Sequence, residues 1–265
     1  MKRLLIIGAG FAAMYAAMSA ARLRDLQAMS PDDLEIALIA PEPFLVIRPR
    51  LYEANPETMK APLSELFQAL DVRYVQGKVE TIDSVSGSVS FTGPDGSRRA
   101  LGYDRLVLAT GSTGFRPDIP GLAEHAFGVE QLHEAIKLDA HIHALAQRPD
   151  SKARNTVVVA GGGFTGIETA TEMPGRLRAI LGRDADIRVV IVERGERIAP
   201  QTGDNPRPVI AKAIRDAGVD TILGAGVTAI DQGGVTLSNG ERIEALVIGG
   251  NGTDNGRMPA VARHD

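Results

Sequence analysis

Residues 156–170 read TVVVAGGGFTGIETA, and this stretch decides the fold prediction. A short apolar run, typical of a buried strand, leads through a glycine-rich turn into the start of a helix. Gly161, Gly163 and Gly166 give the pattern GxGxxG, which permits a tight turn, close approach of the backbone to a pyrophosphate, and close packing of helix on strand. The helix N-terminus offers free N–H groups and a positive dipole end to phosphates. The stretch predicts a dinucleotide-binding unit, and a glycine-rich turn in another kind of α/β protein is the alternative.

The same plan occurs twice in the chain. Residues 3–17 read RLLIIGAGFAAMYAA and contain the accepted variant GxGxxA, formed by Gly8, Gly10 and Ala13. Each copy continues with two β-rich segments, two turns and a final apolar strand, at 79–111 and 227–250. Strand–helix–strand order implies parallel pairing, so the predicted class is α/β: two Rossmann-like dinucleotide-binding domains, each with a small β-meander. Two such domains suggest two dinucleotides, and a flavin with a nicotinamide is the economical pair.

An acidic residue at the end of the second strand of each copy would bind a ribose. In the second copy Glu193 ends the predicted strand 188–193. A carboxylate there accepts ribose hydroxyls and repels a 2′-phosphate, which favours NADH, although the neighbouring Arg194 leaves NADPH open. In the first copy Ala40 ends the strand, and the nearest carboxylate is Glu42. Glu42 either serves the ribose or is an exposed loop acid.

Breaker residues between 116 and 121 mark a domain boundary. We predict an FAD-binding domain at 1–118, an NAD(H)-binding domain at 119–250 and a tail at 251–265. Helices are predicted at 11–24, 62–70, 130–147, 164–181 and 206–217. The uncharged run 4–21 resembles a signal peptide or a transmembrane helix, but its glycines fit a strand-to-helix turn better. We therefore expect a cytoplasmic protein without a transmembrane segment.

Composition argues against several other functions. The 265 residues include no Cys, which excludes a disulfide framework, thiolate metal sites and dithiol chemistry. A net charge of −4 and 4% aromatic residues argue against nucleic-acid binding. No metal site is predicted, because His141 and His143 do not share a helix face. Three basic residues after Pro174 are interpreted as a solvated helix end: Arg176, Arg178 and Arg183.

Four segments resemble the pyridine nucleotide-dependent FAD oxidoreductases, which are flavoproteins with two dinucleotide-binding domains. Among these the chain is most similar to type II NADH dehydrogenases (NADH:quinone oxidoreductases). The segments are GAGFAA at 8–13, PFLVIRPRLYE at 43–53, YDRLVLATGS at 103–112 and GGGFTGIETATEM at 161–173. The resemblance extends over residues 1 to about 248. The ATG stretch and the doubled fingerprint together make it specific.

The resemblance implies FAD and NADH as cofactors. FAD would lie along the first copy, with Glu42 as the candidate ribose acid and with contacts from Gly8, Gly10, Ala13, Arg48, Pro49, Val79, Ala109, Thr110 and Gly111. NADH would lie along Gly161, Gly163, Gly166, Glu193 and Gly249. Glu168 would approach the nicotinamide and the flavin ring, unless it is a first-turn carboxylate stabilised by the helix dipole. The implied reaction moves a hydride from nicotinamide C4 to flavin N5, and then electrons to a quinone-like or artificial acceptor.

Members of such families continue beyond the second copy. They have a Gly-Asp segment that binds FAD, followed by a C-terminal interface domain. We expect that domain to be absent here, which leaves FAD retention open, and a homodimer would cover the open edge of the first sheet. Two alternatives remain: a ferredoxin-reductase-like flavoprotein, and a non-catalytic NADH-binding remnant or sensor without FAD.

Overall fold

The computed structural model describes residues 1–112, 114 and 116–250. The predicted tail 251–265 lies outside the described residues. The chain forms two compact units. The first comprises Met1–Ile47 and Lys60–Gly111, and the second comprises Arg48–Met59 and the chain from Ser112 onward. The Arg48–Met59 segment, which the predicted domain limits include in 1–118, thus packs with the second unit.

The first unit is built on a parallel sheet. Its helices are α1 (Phe11–Leu26) and α2 (Ser64–Ala69). Its strands are β1 (Lys2–Ile7), β2 (Leu34–Ala40), β3 (Phe44–Val46), β4 (Lys60–Pro62), β5 (Val72–Gln76), β6 (Lys78–Asp83), β7 (Ser88–Thr92), β8 (Arg98–Gly102) and β9 (Arg105–Leu108). The parallel sheet has the order β5-β2-β1-β9, β6–β8 form an antiparallel meander, and β3 pairs with β4.

Both faces of the first parallel sheet are buried, which explains why its strands are continuous apolar runs. On β2, Ile36 and Leu38 point to one face and pack with the small residues of α1, which are Ala13, Ala17 and Ala21. The alternate residues Ala37 and Ile39 point to the other face and pack with Val89 and Phe91 of the meander. The two-residue period of a strand thus divides one apolar run between two cores.

The second unit repeats this architecture. Its helices are α3 (Leu122–His125), α4 (Leu132–Ala144), α5 (Lys152–Asn155), α6 (Phe164–Leu181) and α7 (Arg207–Asp216). Its strands are β10 (Thr156–Ala160), β11 (Arg188–Glu193), β12 (Val219–Leu223), β13 (Val227–Asp231), β14 (Gly234–Leu237), β15 (Arg242–Glu244) and β16 (Val247–Gly250). The parallel sheet has the order β12-β11-β10-β16, and β13–β15 form the meander.

The parallel sheets of the two units have the same strand order. If only the strands of each parallel sheet are counted along the chain, the order across the sheet is third, second, first, fourth in both units. The predicted α/β class with two Rossmann-like domains and two meanders is confirmed. The predicted helix 164–181 matches α6. The predicted helix 62–70 is longer than the observed α2, which begins at Ser64 because residues 60–62 form β4. Among the described helices, none combines the length and apolar character needed to cross a membrane.

Glu35 on β2 links three neighbouring strands and gives a pH-dependent prediction. It accepts hydrogen bonds from Arg3 of β1 and from Arg73 of β5, the latter at 2.8 Å. Burial alone would raise the pKa of Glu35, but the hydrogen bonds from Arg73 and Arg3 outweigh it and hold the pKa below its ordinary value. Since the folded-state pKa is the lower one, this contribution to stability is present above the unfolded value of 4.5 and is lost as pH falls through the folded value.

We expect Glu35→Gln to lower the free energy of unfolding by about 1–2 kcal/mol at neutral pH. Urea titrations at neutral pH and at roughly pH 3 measure the difference from wild type, which should shrink towards zero in acid. Glu65→Gln, at an exposed acid of α2, is the control and should stay within about 0.5 kcal/mol of wild type. A Glu35→Gln deficit that persists unchanged in acid would contradict the assignment.

Candidate dinucleotide-binding sites

The glycine-rich turn of the second unit lies between β10 and α6. Gly161 has φ +110°, in the region that favours glycine, and its N–H donates to Val192 O at 2.8 Å. At Gly166 a Cβ would lie 2.0 Å from Gly161 O, far inside van der Waals contact. Two of the three fingerprint glycines are therefore required by the backbone itself.

Gly163 is different, because neither its conformation nor its surroundings require glycine. It is the N-cap of α6 with φ −75°, and no side chain in the described part of the chain caps the helix. The nearest atom to an added Cβ would be Gln201 Oε1 at 4.0 Å. The first N–H groups of a helix have no intrahelical partner, so this end of α6 presents donors and a positive dipole towards open space.

Glu193 ends β11 and is integrated into the same turn. One carboxylate oxygen accepts from Gly162 N at 2.6 Å and the other from Gly195 N at 2.7 Å. Glu193 is only 9% exposed. A carboxylate has about four lone-pair positions, so two remain for further donors such as hydroxyls. Arg194 is exposed.

The first unit has the same turn between β1 and α1. Gly8 has φ +115°, donates its N–H to Ile39 O at 2.9 Å, and would place a Cβ 2.2 Å from Ala109 O. Gly10 is the uncapped N-cap of α1 with φ −78°, and an added Cβ would meet no atom within 4 Å. Ala13 is fully buried in the core on α1. The two turns therefore match position by position.

The end of the second strand differs between the two units. β2 ends at the buried Ala40, whose carbonyl accepts from the Tyr74 hydroxyl at 2.8 Å. Glu42 lies two residues further on, exposed in a loop. The carboxylate of Glu193 is therefore buried and hydrogen-bonded to the backbone of its turn, whereas Glu42 is exposed.

The other residues predicted to contact FAD fall into two groups. In the first unit, Val79 lies on β6 opposite Phe91, and Ala109–Gly111 follow β9, with Gly111 at φ +72°. Arg48 and Pro49 lie in a 3-10 turn (Arg48–Arg50) that packs with the second unit. Arg48 donates from Nε to Glu130 O at 3.0 Å and from Nη1 to Ser112 O at 2.9 Å.

Two predicted NADH-side residues lie away from the glycine turn. Gly249 is buried on β16 and pairs with Val159 of β10. Glu168 is exposed on α6, beyond the first helical turn, which contains no acidic residue. Burial raises the pKa of the Tyr52 phenol, and the negative charges of Glu168, Glu53 and Glu172 raise it further. The sequence predicts no role for Tyr52, yet the pKa of its phenol responds to the negative charge of Glu168.

The profile of one protein family, pyridine nucleotide-disulphide oxidoreductase, matches residues 2–253. The chain belongs to this family. A NADH dehydrogenase-like protein of Mycobacterium tuberculosis (strain H37Rv) is 40% identical over 250 residues, which are 94% of this chain and 62% of the relative. The demethylphylloquinone reductase of Synechocystis is 30% identical over 93% of this chain and 59% of its own length. The chain thus spans about 60% of the length of these relatives.

Solved structures agree on the fold of this pyridine nucleotide-disulphide oxidoreductase family member. NDH2 from Plasmodium falciparum, in complex with NADH, superposes with a TM-score of 0.79 at 15% identity, over 95% of this chain and 55% of that one. A ferredoxin reductase from Rhodopseudomonas palustris has a TM-score of 0.75 at 22% identity, over 96% of this chain and 59% of that one. Membership of the family confirms the predicted relationship and agrees with FAD and NADH as the predicted cofactors.

The interpretation of Arg176 as part of a solvated helix end is wrong. Its side chain is 4% exposed, pairs with Asp139 of α4, and donates to Tyr52 O at 2.7 Å. Pro174 lies inside α6 without ending it. A signal was present in the sequence, because Ala170, Met173 and Leu177 place Arg176 on the apolar face of the helix.

Proposed function

We propose that this chain forms the two dinucleotide-binding units of an NADH-oxidising flavoprotein, which takes a hydride from NADH and passes electrons to a quinone-like acceptor. The observation that carries the proposal is the pair of uncapped helix N-termini at Gly10 and Gly163. Both glycines have negative φ and open space where a Cβ would project. Neither conformation nor packing requires glycine at these two N-cap positions, where glycine is also tolerated in general, and close approach of a ligand phosphate gives a reason for it at both.

The first unit fits FAD. The donors at the N-terminus of α1 would bind its pyrophosphate, where Gly10 leaves room for it. Further contacts in this proposal come from Gly8, Ala13, Glu42, Val79, Ala109, Thr110 and Gly111, and from Arg48 and Pro49. When bound, FAD supplies a two-electron acceptor for the hydride.

The second unit fits NADH. The N-terminus of α6 would bind the pyrophosphate beside Gly161, Gly163 and Gly166. Glu193 would accept from the ribose hydroxyls with the lone pairs that Gly162 and Gly195 leave free. Its charge disfavours a 2′-phosphate, so we propose NADH as the preferred donor. Gly249 and Glu168 are assigned to the nicotinamide half.

The acceptor is proposed from the relatives. One is named as a demethylphylloquinone reductase and others as type II NADH:quinone oxidoreductases, which supports a quinone-like molecule. A ferredoxin-type acceptor is the alternative within enzymes, since a ferredoxin reductase shares the fold. We also propose a homodimer, because among the described residues β5 and β9 each have one hydrogen-bonded neighbour and leave sheet edges to cover.

A crossed pair of substitutions tests the two sites. We expect Gly10→Ala to lower FAD affinity at least about tenfold and to leave NADH affinity unchanged, because the new methyl group occupies the space of the pyrophosphate. Gly163→Ala should lower NADH affinity at least about tenfold and leave FAD affinity unchanged. FAD binding is measured by visible absorbance and NADH binding by calorimetry, and anaerobic addition of NADH to the flavin-loaded protein should bleach the flavin bands.

Gly175→Ala is the matched control, because Gly175 lies on α6 with open space around it, away from the N-terminus. It should change neither affinity. A second candidate function, a sensor that binds NADH without flavin, is favoured by the buried Ala40 and the exposed Glu42 at the first ribose end. A wild-type protein that binds NADH and takes up no added FAD would replace the enzyme proposal with this second one.

A further inference from the structure

The Arg48–Met59 segment makes hydrogen bonds and buried contacts with the rest of the second unit. Arg48 donates to the carbonyls of Glu130 and Ser112, and Leu51 and Pro56 are buried. A further hydrogen bond is made at Tyr52, whose carbonyl accepts from Arg176 Nη1 at 2.7 Å. These hydrogen bonds and buried side chains join the Arg48–Met59 segment to the rest of the second unit.

The Arg176–Asp139 pair that holds Tyr52 is buried. The side chains are 4% and 13% exposed, and Asp139 also lies 3.4 Å from His143 Nδ1. Removing such a pair from water costs much of what its attraction returns, so apolar residues of similar volume often stabilise a fold equally well. Apolar residues, however, cannot donate a hydrogen bond to the carbonyl of Tyr52, as Arg176 does. The planar guanidinium donates to the carboxylate of Asp139 and to the carbonyl of Tyr52 at once.

Glu168, Glu172 and Arg176 follow one another at four-residue spacing and therefore share a face of α6. Arg176 binds the backbone of Tyr52, and the charges of Glu168 and Glu172 act on its phenol. The Tyr52 carbonyl is thus fixed at the buried Arg176 end of this face. The phenol packs partly into the core of the second unit.

We propose that Arg176, oriented by Asp139, is a positioning residue: it fixes the Arg48–Met59 segment along the Glu168–Glu172–Arg176 face of α6, so that Tyr52 is held beside Glu168. The inference rests on the proposed function, in which Glu168 belongs to the nicotinamide half. Within the described part of the chain, the side-chain hydrogen bonds of Arg176 go to Tyr52 and Asp139 and not to the glycine turn. Its loss should therefore slow flavin reduction by NADH and spare NADH affinity, which depends on Glu193 and the N-terminus of α6.

The test compares the double variant Arg176→Met/Asp139→Leu with wild type and with Arg178→Met. The double change removes both charges together, so that neither is left buried alone. Arg178, two residues further along α6, is exposed and serves as the matched control. Amide hydrogen exchange, followed by mass spectrometry on peptides from 48–59, reports on the segment directly. Calorimetry gives NADH affinity, and anaerobic stopped flow gives the rate of flavin reduction.

We expect exchange in 48–59 to rise about tenfold or more in the double variant, flavin reduction to slow about tenfold, and the Kd for NADH to stay within about twofold. Arg178→Met should match wild type in all three. Unchanged exchange in a folded double variant would overturn the anchoring, and faster exchange with an unchanged reduction rate would overturn the positioning role. If wild-type flavin is not reduced by NADH at all, the proposed function fails, while the exchange measurement still decides the anchor.

Discussion

Gly166→Ala is expected to destabilise the second unit by about 3 kcal/mol, at the upper end of what overpacking costs. The added methyl carbon would lie 2.0 Å from Gly161 O and 3.1 Å from its carbonyl carbon. Both are backbone atoms, so no rotation of a side chain relieves the clash. Either α6 moves away from β10 or the turn at Gly161 opens, and both changes also disturb the N-terminus to which NADH is proposed to bind. Urea denaturation followed by circular dichroism measures the loss.

Gly175→Ala provides the internal comparison for this prediction, since it places the same methyl group on the same helix in open space. Because alanine is the better helix former, that variant should gain about 0.5–1 kcal/mol. The matching residue of the first unit is Ala13, and GxGxxA is an accepted variant, so the first turn accommodates alanine at this position. Equal stability of Gly166→Ala and wild type would show that the second turn relaxes as easily as the first.

The fold was largely predictable from the sequence, for a reason that particular strands make clear. In a parallel sheet that is covered on both sides, β2 and β11 are uninterrupted apolar runs, and the glycine turns mark where each run gives way to a helix. What the sequence could not show is where a connecting stretch packs. The Arg48–Met59 segment follows β3 in the chain but packs with the second unit, through contacts to residues more than 60 positions away.

The sites were predictable to a more limited extent than the fold. The fingerprint predicted the turns at Gly8 and Gly161, where backbone geometry alone requires glycine. The pattern did not distinguish these positions from Gly10 and Gly163, where the space is open, since that difference depends on three-dimensional neighbours. The charge of Arg176 suggests a solvated position, whereas its helical phase places it on the buried face of α6. The roles of the individual residues towards FAD and NADH stay predictions.

The second large effect is expected at Glu193, where one side chain has two tasks. Its carboxylate satisfies the N–H groups of Gly162 and Gly195, and in the proposed function it also binds the ribose of NADH. Glu193→Ala leaves both N–H groups without that acceptor, at roughly 1–3 kcal/mol for each group that stays buried, so we expect about 2–4 kcal/mol lower stability. NADH affinity should fall about a hundredfold, equivalent to about 2.7 kcal/mol. Urea denaturation and calorimetry measure the two losses separately.

Glu193→Gln separates the two tasks, because glutamine keeps one acceptor oxygen and loses the charge. Its stability should lie between those of wild type and Glu193→Ala, and its preference for NADH over NADPH should shrink, since the repulsion of a 2′-phosphate is gone. Glu196→Ala, at an exposed acid in the same loop, should change neither property. If Glu193→Ala lost stability yet bound NADH as tightly as wild type, Glu193 would serve only the turn. The ribose would then need another acceptor, and the assignment of the adenosine end of the second unit would have to be abandoned.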